Sequence, residues 1–421
     1  MIEKKSLPKR FWLVLLSVGP GIFGIGYTIG TGSVTAMVKA GAEIGTSLLW
    51  HLFLCALFSL FVLEAYGRYA IITGETSIYS FKTKLKYGKF IAIFIMVGII
   101  VGQWGSYTGI VGICSNGIYE TIRLFIPTLS ENNYWAVLGI AIGILVVLYL
   151  LLMVGKYSFF EKVLVILVTL MGICFLITMF VVLPEPKEIA AGFIPRIPKV
   201  PGAELLFAAF VGTTMAGPTF VVRPLTIKGH GWTRDNLKDQ SRDAFVSAFL
   251  MFMISASIMI CAASVLAEKG IIVTKVLDMV GTLEPLIGKF AVALFLVGLI
   301  SAGLSSTFPI MMVAALLLAD YRKGELDTNS TVFRILAAVA CLFGLIIPVL
   351  GAQPIIAQIL TQVFNVFVLP VVVFAIILLI NRKDIMAEHR AGWFLNTGLI
   401  GALIFACLVS YKAVIALFDF F

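Results

Sequence analysis

The stretch PGAELLFAAFVGTTMAGPTFVVRPLTIKGHG, Pro201–Gly231, decides how the rest of the chain is read. It opens as a membrane helix, with Leu205, Leu206, Phe207, Ala208, Ala209, Phe210 and Val211 in succession. Gly212, Thr213, Thr214, Met215, Ala216, Gly217 and Pro218 then make poor helix, because Gly costs stability and Pro removes a backbone donor. The apolar pattern resumes at Phe220 and soon meets Arg223 and Pro224. Freed backbone at membrane depth survives only where protein buries it or water reaches it. A helix broken in mid-membrane is therefore expected, and such breaks are where secondary transporters hold their solutes.

Composition places this stretch in a polytopic membrane protein. Of 421 residues 60% are hydrophobic and 13% charged, about half the charge of a soluble chain. Apolar runs of about 20 residues recur from end to end, with no polar domain between them. Eleven spans are predicted, near 11–42, 46–73, 90–119, 134–154, 160–183, 201–231, 244–267, 290–318, 332–350, 355–380 and 393–418. The first is read as a retained span rather than a cleaved signal peptide. The net charge of +9 is accounted for by basic cytoplasmic loops, not by nucleic acid. With a cytoplasmic N-terminus, about 21 Lys and Arg fall inside and about 7 outside, which predicts N-in, C-out. The six cysteines all fall in spans, without metal spacing, and are read as small buried residues.

Span 1 repeats the feature of span 6. Glycines at 19, 21, 24, 26, 30 and 32 lead into TIGTGS, Thr28–Ser33, five spans before GTTMAGPT, Gly212–Thr219. Two interrupted helices at matching positions of two five-span halves predict a 5+5 inverted repeat, with a site between the breaks. One transmembrane domain is expected over 1–421, with repeats at 1–183 and 201–380 and an additional helix at 393–418.

Several segments extend this reading to a family: GAEIGTSLLW (41–50), EAYGRYAIITG (64–74), GKYSFFEKVLVILVTLMGICF (155–175), SAGLSSTF (301–308), QVFNVFVLP (362–370) and NRKDIMAEHR (381–390). In order, and over nearly the whole chain, they resemble the NRAMP family of proton-coupled divalent-metal transporters. The resemblance implies an all-α polytopic protein with a LeuT-like fold. The chain departs from the family at the chemistry. The family's span 1 break reads Asp-Pro-Gly-Asn, whose Asp and Asn ligate the metal; those positions are Gly30, Thr31, Gly32 and Ser33 here. The family's span 6 Met and Pro-His fall at Ala216, Gly217 and Pro218, with Met215 one position out of register, and its second span 6 histidine falls at Arg223. Its span 3 proton-handling Asp and Glu correspond to Gln103 and Ser106.

The thioether that favours soft metals and the carboxylate that holds a dication are thus both replaced. What stands between the breaks is small and hydroxylated: Thr28, Thr31, Ser33, Thr213, Thr214 and Thr219, with Gly30 and Ala216. Half-helix N-termini there offer N–H groups and positive dipole ends to an anionic oxygen. Arg223 has two readings, attraction of an anion from within the span or snorkelling to the cytoplasmic face. Glu43 and Glu64 are read as loop or ion-pair residues, and His51 and His230 as structural. With Gln103 and Ser106 the family's acidic proton route is missing. Ser305 and Ser306 in span 8 resemble the hydroxyls that hold sodium in LeuT-fold symporters. The coupling ion is left open between Na+ and H+.

The expected function is secondary active transport of a small polar or anionic solute through an altered site, without efficient carriage of manganese or iron. No cofactor and no metal site is expected. The partners are the solute and the lipid bilayer, and the location a bacterial plasma membrane. Alternatives are a hard divalent ion such as Mg2+, or a non-transporting sensor. The spans hold no paired acids, nucleophile–His pair or HExxH run, which argues against an enzyme. The lack of a Walker loop argues against an ATP-driven pump.

Overall fold

A computed structural model of the chain describes residues 30–420, apart from 131–132, 155–156, 183, 197, 199, 201, 281–288 and 324–327. Among the described residues there are helices and connections and no strand. The principal helices are α1 (Thr31–Ile44), α2 (Leu49–Thr73), α3 (Ser77–Lys84), α4 (Gly88–Phe125), α5 (Tyr134–Met153), α6 (Tyr157–Val181), α7 (Ala203–Thr214), α8 (Gly217–Gly229), α9 (Leu237–Val265), α10 (Lys289–Lys323), α11 (Thr331–Gly344), α12 (Pro354–Val366), α13 (Leu369–Ile380) and α14 (Trp393–Phe420). Nine helical stretches among the described residues are long and apolar enough to cross a bilayer. They correspond to predicted spans 2–4 and 6–11. Span 5 is the helix α6, and span 1 is described only from Gly30 onward.

Local chemistry sets several helix ends. The Asn133 side chain accepts from Ala136 N–H at the start of α5 (3.1 Å), and Ser330 does the same for Phe333 N–H at α11 (3.2 Å). α2 stops at Gly74, whose φ of 68° is the left-handed conformation that Gly adopts without strain.

The broken span lies at the centre. The apolar window of α7–α8 is wholly buried, whereas that of α5 is 22% buried and so faces outward along most of its surface. α7 packs on α12, α1 and α2, and α8 on α2. α1 lies along α9, and α4 is held between α10 and α12. One contact explains a glycine in the broken span: a Cβ on Gly212 would lie 1.9 Å from the Gln362 carbonyl oxygen. Only Gly lets α7 and α12 meet backbone to backbone there.

Three expectations change. The break is narrower than Gly212–Pro218: α7 runs through Thr214, only Met215 and Ala216 are non-helical, and α8 resumes at Gly217. Pro218 sits in the first turn of α8, where its missing N–H leaves no bond unmade. α8 also continues through Pro224 to Gly229. Span 7 starts earlier than Ala244, because the helix begins at Leu237 and carries buried Gln240 and Asp243 in its first turns. Of the cysteines, Cys55, Cys114 and Cys261 are buried as expected, but Cys341 is half-buried and Cys407 is exposed on the outer surface.

Candidate functional site

Between the start of α1 and the α7–α8 break is a cavity of about 20 Å³. That is room for about one water or one small ion. It is lined by Gly30, Gly32 and Ser33 at the start of α1, Gly212, Thr213 and Ala216 at the α7–α8 break, Gln103, Ser106 and Ile110 of α4, Ser306 and Ile310 of α10, and Gln362 of α12.

The start of α1 supplies N–H donors. Gly30 is extended (φ −109°, ψ −171°), and the first helical bond of α1 runs from Val34 N–H to Gly30 O (3.0 Å). The N–H groups of Thr31, Gly32 and Ser33 therefore precede any intrahelical acceptor. The α7–α8 break offers less at its α8 end, because Pro218 has no N–H and Thr219 N–H bonds Ala216 O (3.0 Å). At its α7 end, Val211 O accepts from Met215 N–H (2.8 Å) and Thr214 O from Ser59 Oγ (3.0 Å).

The α4–α12 wall is a chain of neutral amides. Gln103 Nε2 donates to Asn365 Oδ1 (3.3 Å), and Asn365 Nδ2 to Gln362 Oε1 (3.1 Å). Gln362 Nε2 and Gln358 Nε2 both donate to Ser106 Oγ, at 2.9 and 2.7 Å. Gly32 makes this approach possible, since a Cβ there would lie 2.4 Å from both glutamine nitrogens. On the opposite side Ser33 Oγ lies 3.4 Å from Ser255 Oγ of α9. Ser305 and Ser306 donate to Ala302 O within α10 (2.9 and 3.2 Å).

The structure brings Gly30, Ser33, Gln103, Ser106, Thr213, Ala216 and Ser306 to one cavity. Thr31, Thr214, Thr219 and Ser305 are buried beside it without lining it. Thr28 lies outside the described residues. Met215 is packed in the apolar core and does not line the cavity.

Arg223 matches neither of its sequence readings. Its side chain is 2% exposed, and it donates to Asp243 Oδ2 (2.9 Å) and to Gln240 Oε1. Gln240 Nε2 in turn donates to Glu64 Oε2 (2.8 Å), and Glu64 pairs with Arg68 (2.6 Å). A guanidinium so deep in protein requires a counter-charge, and Asp243 supplies it. Arg223 thus ties α8 to α9 and, through Gln240, to α2, away from the cavity. Glu43 is paired with Lys39. His51 stacks on Phe207 and bonds its carbonyl oxygen (2.9 Å), and His230 bonds Thr226 O (2.9 Å).

Gln358, Gln362, Asn365 and Asp243 are the polar groups that sequence reasoning missed. The first three recur at i, i+4 and i+7 in an otherwise apolar span, a one-face helical spacing that would have found them. Asp243 was set just outside its span by the hydropathy edge. Among the described residues no group of three or more His, Cys, Asp or Glu is placed to hold a metal ion.

The helical architecture, with an interrupted central helix and a polar cavity at the break, is that of the LeuT-like fold. Consistent with that fold, the structure aligns with that of a manganese transporter of Eremococcus coleocola at a TM-score of 0.72 and 13% identity, covering 99% of this chain and 90% of the other. The sequence model described as "natural resistance-associated macrophage protein-like" matches residues 21–416, and the chain belongs to that family. It is 24% identical over 387 residues to a Dictyostelium discoideum protein described as a natural resistance-associated macrophage protein 2 homolog, covering 89% of this chain and 59% of that one. It is 26% identical over 223 residues to a divalent metal cation transporter of Clostridium acetobutylicum, covering 51% of this chain and 50% of that one. The matches thus span between half and three-fifths of these two relatives' lengths.

Proposed function

We propose that this protein is a secondary active transporter of its family whose central site takes a small polar or anionic solute in place of a transition-metal ion. One observation carries the reading. Gly30 stands where the family resemblance puts a metal-binding aspartate, and a Cβ at Gly30 would lie 2.0 Å from Ser306 Oγ and 2.7 Å from Ser306 Cβ. The volume that a carboxylate stem would need is filled by a hydroxyl side chain from α10. This packing supports a site built without a carboxylate at position 30. The remaining lining is neutral hydroxyl, amide and backbone, and such dipoles compensate poorly for the hydration shell of a dication.

Calorimetry on the purified protein with Mn2+ and Mg2+ tests this directly. No saturable Mn2+ binding is expected; micromolar Mn2+ binding that Ser33→Ala weakens would overturn the reading. A second reading, carriage of a hard ion such as Mg2+, draws on the description of the Clostridium relative as a divalent metal cation transporter. It predicts saturable Mg2+ binding in the same titration. For coupling, Ser306 contributes a hydroxyl to the cavity wall, a neutral group compatible with either sodium or the proton. Solute flux in proteoliposomes that falls when choline replaces sodium assigns sodium, and flux that follows an imposed pH gradient assigns the proton.

A further inference from the structure

We propose that the corner between α3 and α4 holds an anionic phospholipid, with its phosphate at Lys86 and Lys89 and one acyl chain in a groove along α4. The site lies on the outer surface, apart from the central cavity, and stands whichever solute that cavity takes.

The charges come first. The segment Glu75–Phe90 carries four lysines and one acid. Glu75 is paired with Lys84 (2.7 Å). Lys82 donates to Tyr321 O (2.8 Å) and lies 4.3 Å from the centre of the Tyr321 ring. Arg382, which donates to Lys84 O, has its own acid in Asp384. Lys86 and Lys89 are left, both exposed and both without an ion pair among the described residues. The chain turns tightly between them. Tyr87 has a φ of 60°, a conformation uncommon for a large side chain, and a Cβ on Gly88 would lie 2.1 Å from Phe81 O. Lys86 Nζ lies 5.5 Å from the centre of the Tyr87 ring. That ring is 76% exposed, and exposed tyrosines favour the headgroup layer of a bilayer.

Directly below the two lysines α4 carries a groove of about 320 Å³, lined by Phe90, Ile93, Phe94, Val97 and Gly98. Their spacing of i, i+3, i+4, i+7 and i+8 is one face of a helix. Lys89 stands four residues before Ile93 and eight before Val97, so the same face has a charge at its head and apolar surface beneath. Phe90 to Gly98 rises about 12 Å, most of the ~15 Å of hydrocarbon in one leaflet. The groove ends at Gly98, where a Cβ would meet Val368 Cγ2 at 2.4 Å.

This arrangement selects among occupants. A soluble anion satisfies the lysines and leaves the groove uncovered. A neutral lipid covers the groove and leaves the lysines unmatched. A second copy of the chain related by a twofold axis through this face would set one basic corner against another. An anionic phospholipid matches both parts, and the N-terminus of the long helix α4 favours its phosphate.

Purified full-length protein in neutral detergent would be titrated with phosphatidylglycerol, phosphatidylcholine of the same chains, or inorganic phosphate, and followed by native mass spectrometry and thermal unfolding. Phosphatidylglycerol is expected to remain bound and to raise the melting temperature; the other two are not. Lys86→Gln with Lys89→Gln should weaken phosphatidylglycerol binding about thirtyfold. The charge-matched pair Lys269→Gln and Lys275→Gln, also exposed, should leave it unchanged. Val97→Trp fills the groove with both lysines intact and should weaken binding as well, which keeps the test independent of any folding defect in the lysine variant. Equal binding of the two lipids, a shift reproduced by inorganic phosphate, or binding indifferent to Lys86→Gln with Lys89→Gln each overturns the proposal. So does a dimer in the mass spectra that Val97→Trp splits, which would assign the groove to a second copy.

Discussion

At the scale of single residues, the proposed function turns on the pair Gly30–Ser306. Gly30→Asp is expected to destabilise the protein by about 1–3 kcal/mol through overpacking, read as a lower melting temperature in detergent. Combining it with Ser306→Ala should recover part of that loss, because the clash is with the Ser306 side chain. A double-mutant cycle would show coupling well above the ~0.5 kcal/mol scatter of independent sites. Equal losses in the single and double variants would mean that the contact is not the cause. Gly30 could be read from the sequence as a site residue, through the resemblance anchored on GAEIG at 41–45; that Ser306 packs against it could not. Ser306 is 276 residues away in the chain, and nothing in the local pattern says which of two adjacent serines turns inward. Arg223 makes the converse point. Its presence in a span flagged it as important, but its partner Asp243 lay beyond an apparent span edge, so its role could not be read. Asp243→Asn should cost about 3–5 kcal/mol by leaving Arg223 without its counter-charge. Replacing both residues with apolar side chains should cost less than this single change, as measured by thermal unfolding.

At the scale of elements, the interrupted helix was the most legible feature, because Gly, Thr and Pro are poor helix formers wherever they cluster. Its length was not legible. The sequence suggested that all of Gly212–Pro218 is unwound, whereas only Met215 and Ala216 leave the helix. Gly212 is in the helix for packing, since α12 passes against its backbone. Gly212→Ala is accordingly expected to be among the most damaging small substitutions in the protein. The obstacle is a backbone oxygen rather than a flexible side chain, so overpacking should cost at least ~1–3 kcal/mol. Loss of folded protein by size-exclusion chromatography would check this, and a Gly212→Ala variant with unchanged thermal stability would refute the close contact. The amide face of α12 is less legible, because Gln358, Gln362 and Asn365 are scattered along an otherwise apolar run that hydropathy reads as an ordinary span.

At the scale of the whole molecule, hydropathy alone gave most of the architecture: ten of the eleven predicted spans have a helix at their place and the eleventh is described in its second half. Orientation is an expectation from the charge of the loops. If the N-terminus is cytoplasmic, an odd number of spans puts the C-terminus outside. A C-terminal alkaline phosphatase fusion should then be active and a C-terminal green fluorescent protein fusion dark; the reverse pattern would mean an inverted topology or a different span count.

The Arg223–Asp243 pair also bears on how the chain enters the membrane. Each charged residue placed centrally in a lone span costs about 2.5–3.5 kcal/mol on insertion scales. The two residues lie 20 positions apart on successive helices, so a hairpin of α8 and α9 can enter with its charges already matched. A nascent chain that ends before α9 should hold its sixth span in the bilayer less well than one extended through Val265, as glycosylation mapping of truncated chains would show. The ion pair would then act first as a condition of biogenesis, before any solute is met.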